Sequence, residues 1–80
     1  MMQSHKRLVE SKKNLRIGNH RVEICENGMR KFIYFKTCIC LVDDVNKTFF
    51  IDNGGWDTVS TNKAIGSYRS YFSMKGYREV

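Results

Sequence analysis

Residues 32–56 read FIYFKTCICLVDDVNKTFFIDNGGW. β-Branched and aromatic residues run through it almost unbroken. The interruptions are residues 43–47 and Asn53, Gly54 and Gly55, both rich in turn-forming chemistry. A long strand, a turn and a second strand are expected. Successive strand side chains point to opposite faces, so parity assigns the core. In residues 31–42 the odd positions Ile33, Phe35, Ile39 and Leu41 are apolar, with Thr37 between them. The even positions Phe32, Tyr34, Lys36, Cys38 and Cys40 are mixed. The odd face is therefore the expected core face. A partner strand over residues 47–52 adds Phe49 and Ile51 to it if Leu41 stands opposite Phe49, because a slip of one residue would bring in Thr48, Phe50 and Asp52 instead.

Working outward, Leu15 and Ile17 flank Arg16, and Val22 and Ile24 flank Glu23, with Gly18-Asn19 between the two runs. That is a tight hairpin, placing Leu15 across from Val22 and Arg16 across from Arg21. Two like charges facing each other on a ladder repel. They either fan into solvent or hold an anion between them. Asn27-Gly28 is a second hairpin turn of type I′, which pairs Ile24 with Lys31 and Val22 with Ile33. The predicted core face is then Leu15, Val22, Ile33, Phe35, Ile39, Leu41, Phe49 and Ile51. The same register sends Arg16, Arg21, Arg30, Phe32, Tyr34 and Lys36 to the opposite side.

After Ile51, Asn53-Gly54 can turn the chain into a short last strand that sets Trp56 beside Ile51 and Thr58 beside Phe49. Ser60 is then the expected cap of a helix in which Ile65, Tyr68 and Phe72 recur at helical spacing, widened by Ala64 and Tyr71. Gly66 weakens this helix by about 1 kcal/mol relative to Ala, and would allow close packing on the sheet. Gly76 ends it, leaving residues 77–80 as a tail. At the other end, residues 1–13 hold five basic or histidine positions and only Leu8 and Val9 as apolar neighbours. A helix capped by Ser4 would have little to bury there, so a short helix and a basic arm are both open. The expected fold is α+β: an antiparallel β-meander of about four to five strands with one C-terminal helix on one face, forming a single domain over residues 14–80.

Eighty residues make one small domain. Hydrophobic content of 41% and charged content of 28% are ordinary for a globular chain. No apolar run is long enough to span a bilayer, and the polar start does not read as a secretory leader. Three cysteines in no framework spacing read as reduced thiols. A net charge of +6 and a pI near 9.5 point to a polyanionic or acidic partner.

For catalysis there is little material. His5 and His20 stand apart, the acids show no general acid and base spacing, and Asp43-Asp44 reads as turn chemistry. Cys25, Cys38 and Cys40 lack zinc-ligand spacing, and Gly54-Gly55 opens no phosphate loop. No enzyme activity, metal or cofactor is expected. The expected site is nucleic-acid-binding. Phe32, Tyr34 and Phe50 could stack on bases while Arg16, Arg21, Arg30 and Lys36 reach phosphates. Lys63, Arg69 and Lys75 form a second basic face on the helix.

The segment KTFFIDNGGWDTVSTNKAIGSYRSYF, residues 47–72, resembles small accessory domains encoded by tailed bacteriophages. The matching features are Gly54, Gly55, Trp56, Thr58, Ser60, Thr61, Lys63 and Ile65, and with the preceding strand the resemblance spans about half of the chain. Gly66 stands where a polar residue such as Asn is expected. The resemblance implies a phage protein in the host bacterial cytoplasm that counters a host defence. Small basic phage antagonists of an endoribonuclease toxin are similar in length and charge. Two function classes follow: an RNA-binding or other nucleic-acid-binding protein, and a protein-only inhibitor of an acidic host enzyme anchored by Phe32, Tyr34 or Trp56. No membrane partner is expected, and self-association is left open.

Overall fold

The computed structural model describes residues 3–80, with side chains from Lys6 onward; Ser4, the expected cap, already lies within the first helix, and its side chain is outside what is described. Its elements are α1 (Gln3–Glu10), β1 (Leu15–Ile17), β2 (His20–Ile24), β3 (Met29–Tyr34), β4 (Thr37–Asp43), β5 (Thr48–Ile51), α2 (Val59–Met74) and β6 (Arg78–Glu79). The fold is α+β. The six strands lie in sequence order in one sheet. The first five form an antiparallel meander, and β6 adds to β5 in parallel.

The first hairpin has the expected register, with Leu15 opposite Val22 and Arg16 opposite Arg21. The second does not. Asn27 and Gly28 both take positive φ, at 64° and 76°, but Glu26 joins the turn and Cys25 N–H donates to the Met29 carbonyl at 2.8 Å. The loop is one residue longer than a type I′ turn. Asp44 N–H on the Gly28 carbonyl, 2.9 Å, holds it against the next hairpin. Val22 therefore faces Phe32 rather than Ile33, and Ile24 faces Arg30 rather than Lys31. A slip of one residue exchanges the two faces of β3, which corrects the expected parity.

A second correction falls inside the expected long strand. Tyr34 pairs with Thr37, so Phe35 and Lys36 are a two-residue turn that divides residues 31–42 into β3 and β4. A bulge follows: Phe32 stands opposite Cys40 while Ile33 stands opposite Cys38, leaving Ile39 as the extra residue. Ile39, Cys40 and Val42 are all fully buried. Phe35 is turned out, and Leu41 goes to the reverse face opposite Lys31 and Phe50. Ile33 is buried but stands apart from the main core cluster.

The core lies between the sheet and the two helices. The α2 stripe Ala64, Ile65, Tyr68 and Phe72 is buried as its spacing predicts. Tyr68 and Phe72 meet Phe32 at ring-centroid distances of 4.9 and 5.5 Å, and Phe72 meets Phe49 at 5.9 Å. Setting Phe32 rather than Ile33 against α2 gives those rings an aromatic partner, which favours the observed register. The cap of α2 is Thr58, whose side chain accepts from Thr61 N–H at 3.2 Å, and not Ser60. Gly66 is exposed with nothing within 4 Å of a Cβ built on it, so it serves no close packing on the sheet. Residues 52–58 form a loop instead of the expected short strand, and the place beside β5 is taken by β6. Leu8 and Val9 of α1 are buried in the same core, so the N-terminal segment is a docked helix.

Arg30 joins these parts. Its Nε and Nη2 donate to the two Asp44 carboxylate oxygens at 2.6 and 2.8 Å, and Nη1 donates to the Val9 carbonyl at 2.6 Å. The last of these satisfies a carbonyl in the final turn of α1. Its Cζ lies 5.5 Å from the ring centroids of both Phe32 and Phe72, and Tyr77 hydroxyl donates to Asp44 at 2.6 Å.

Candidate nucleic-acid interface

The six residues expected to form one binding face occupy three places. Arg16 and Arg21 stand opposite each other on the face of the sheet away from the helices. Arg16 Nε donates to the Gly18 carbonyl at 3.2 Å, and Arg21 Nε lies 3.3 Å from a Glu23 carboxylate oxygen. Arg30 and Phe32 are on the helix-covered face. Arg30 is bound to Asp44, and Phe32, with 0% exposure, has no surface for a base to reach. Tyr34 and Lys36 lie at the end of the sheet where β3 turns into β4. The helix residues Lys63, Arg69 and Lys75 do not act as one face either: Arg69 is paired with Glu79 at 2.8 Å, and Lys75 sits 5.6 Å from the Tyr71 ring centroid.

The reverse face has an apolar centre of Ile33, Leu41 and Phe50, with Lys31 standing opposite Leu41 and Arg21 opposite Ile33. Neither helix packs on it. By register this face carries Arg16, Arg21, Lys31 and Arg78 against Glu23 and Asp43, with Asp52 close enough to Cys38 to act on it. An open sheet carrying a ring, aliphatic surface and basic side chains can hold a flexible polyanion.

At the turn end of the sheet is a cleft of about 440 Å³ on the helix side. Tyr34, Phe35 and Trp56 supply its rings, buried Ile39 its floor, and Lys36 and Ser60 part of its rim. Tyr34 is fixed from behind by His20, stacked at 4.6 Å, and touches Phe35 edge-on at 4.6 Å. Phe35 N–H donates to the Asn19 carbonyl at 2.8 Å, which ties the β3–β4 turn to the β1–β2 turn.

Trp56 reaches the cleft on a loop built by side-chain to backbone bonds. Asp52 accepts from Gly54 N–H at 3.0 Å, Asn53 accepts from Gly55 N–H at 2.9 Å, and Trp56 N–H donates to the Asn53 carbonyl at 2.9 Å. These are turns of the kind Asp and Asn favour. Gly54, at φ 61°, lies so close to Thr37 that a Cβ there would run into its methyl group. Only glycine lets the loop sit down on β4.

Phe35 has a φ of 57°, a region that glycine tolerates and a bulky residue adopts at a cost of about 1 to 2 kcal/mol. The ring so placed is 57% exposed, and Trp56 beside the same cleft is 59% exposed. Backbone strain spent on holding an aromatic ring in solvent points to a use for that ring. Phe35→Gly relieves the strain and removes one edge contact. It is therefore expected to leave stability unchanged or raise it by about 1 kcal/mol. A urea midpoint corresponding to a loss above about 1 kcal/mol would make the ring a packing element instead.

Cys38 and Cys40 are not activated thiols. Burial pushes Cys40 up to about 12 and raises Cys38 as well, so both hold their protons at neutral pH. Among the described residues no group of three or more His, Cys, Asp or Glu side chains is placed to hold a metal ion. Among the described residues no helix is long and apolar enough to cross a membrane. Sequence reasoning missed Phe35 as a site residue because it counted it as core, and the turn it forms contains no Gly, Asn or Asp to reveal it. Comparison with family models, with curated proteins and with solved structures found no match to this chain.

Proposed function

We propose that this chain is a non-enzymatic binding protein for single-stranded nucleic acid, RNA foremost. The observation that carries the reading is the open sheet face, where Arg16 and Arg21 oppose each other directly beside Lys31, Ile33, Leu41 and Phe50. Two arginines across one ladder repel. A phosphate between them turns that repulsion into binding energy. The net charge of +6 adds a long-range attraction of the same sign. The setting we propose, from the resemblance to phage accessory domains, is the host bacterial cytoplasm and a role against a defence such as a toxin endoribonuclease.

Binding of a labelled single-stranded RNA oligomer should weaken linearly in log–log form as salt rises, through release of counterions. Replacing Arg16, Arg21 and Lys31 together by Ala should lower that slope by about 2, at about 0.7 per lost phosphate contact on a single strand. An unchanged affinity and slope would remove the open face from the interface. The rival reading, a protein-only inhibitor of an acidic enzyme, draws on the apolar centre of the same face, where half-buried Leu41 and half-exposed Phe50 suit a protein surface. Freshly purified protein separates the two: excess absorbance at 260 nm that nuclease removes favours nucleic acid, and its absence favours the inhibitor.

A further inference from the structure

We infer that the cleft between Tyr34, Phe35 and Trp56 is a pocket for one unstacked nucleotide of the bound strand, holding the base between rings and its phosphate at Lys36. The inference rests on the nucleic-acid reading above, and adds to it a site on the other side of the sheet from the arginines.

Several features converge on this occupant. A volume of about 440 Å³ lies within the range of about 300 to 1,000 Å³ usual for small-ligand sites. Three of the lining side chains are aromatic, and buried Ile39 gives the cleft an apolar floor. Every base has a π face to stack, whatever its sequence. Polar groups stand at the rim, where a ribose phosphate would emerge: Lys36 on the turn, and Ser60 in the first turn of α2. That helix carries no acidic residue in its first turn, so its positive end faces the rim unopposed from within the helix. Asp57, just before the cap, accepts from the Asn62 side chain at 2.9 Å. The two rings flanking the entrance are held by different means, Phe35 by a strained turn and Trp56 by the loop fitted onto Thr37. Neither is placed by burial, because each is more than half exposed. A receptor for a flat ring explains why both are kept there.

Trp56 is the sole tryptophan of the chain, so its indole N–H gives a single resonance that reports on the cleft alone. Adenosine monophosphate should shift that resonance saturably. Adenosine should do so at several-fold higher concentration, and ribose 5-phosphate and inorganic phosphate should not. A short single-stranded RNA should give the same shift at lower concentration than the mononucleotide, because the open face adds phosphate contacts. Phe35→Gly, which suits the turn geometry, should weaken the mononucleotide response about 5- to 150-fold, the worth of one base stack. Lys36→Met should reduce the nucleotide to the level of the nucleoside.

RNA that binds with the expected salt slope while neither it nor the mononucleotide moves the indole resonance would overturn the cleft and leave the general reading in place. A mononucleotide shift with no salt-dependent RNA binding would support the pocket and overturn the general reading. An equal response to N-acetyltyrosinamide would overturn the nucleotide assignment in favour of a peptide ring, and a shift from the mononucleotide with none from RNA would overturn the assignment to a bound strand.

Discussion

Phe32→Ala should cost about 3 to 5 kcal/mol of folding stability, a large part of the about 4 to 12 kcal/mol expected for a chain of this length. Phe32 is fully buried, its ring meets those of Tyr68 and Phe72, and the Arg30 guanidinium lies over it. Truncation removes the apolar contact and opens a void between sheet and α2 that the surrounding rings can fill only in part. Phe50→Ala is the natural contrast. Phe50 lies on the open face, half exposed, and its loss should change stability by about 1 kcal/mol or less. The pair also decides between registers, because parity read from the sequence puts both rings outside. Urea denaturation of the two variants gives the answer, and a small cost at Phe32 would return β3 to the expected face.

That contrast shows what was legible in the chain and what was not. The α2 stripe could be read because Ile65, Tyr68 and Phe72 recur at helical spacing inside the sixteen-residue helix, with Gly76 at φ 88° closing it as expected. The first hairpin could be read because Gly18-Asn19 fixes both turn and register. The central hairpin could not. Its turn is Phe35-Lys36, where the positive φ falls on a phenylalanine, and no pattern rule assigns a turn to two such residues. The bulge at Ile39 then restores even parity for Cys40 and Val42, so a strand with one break and one insertion looks like a continuous strand of opposite facing. At the N-terminus a single Leu8-Val9 pair is too short to show periodicity, yet it suffices to dock one turn of helix. For the interface, composition supplied the charge and the ring types. Register decided where they went: Tyr34 and Lys36 stayed together at the sheet end, Phe32 and Arg30 moved into the structure, and Phe35 came out.

The fate of Arg30 leads to the second large effect. Asp44→Ala should destabilise the fold by about 2 to 3 kcal/mol. Breaking a buried pair from one side costs about 3 to 5 kcal/mol, because the remaining charge is left without compensation. Here the Arg30 side chain is 12% exposed but Asp44 is 32% exposed, so solvent reaches one partner and the lower figure applies. The same carboxylate also accepts from Tyr77, which stands just before β6. Its removal should therefore loosen the last strand more than the first, seen as faster amide exchange at Arg78 and Val80, whose N–H groups donate to the Lys47 and Phe49 carbonyls at 2.9 Å. Adding Arg30→Met to Asp44→Ala tests the cause. Methionine keeps apolar volume between Phe32 and Phe72 and carries no charge to strand. The double variant should be more stable than Asp44→Ala alone, although the Val9 carbonyl then loses its donor. If both variants are equally unstable, the loss at Asp44 comes from the Tyr77 bond and the turn, and Arg30 is held by its rings and the end of α1 rather than by its counter-charge.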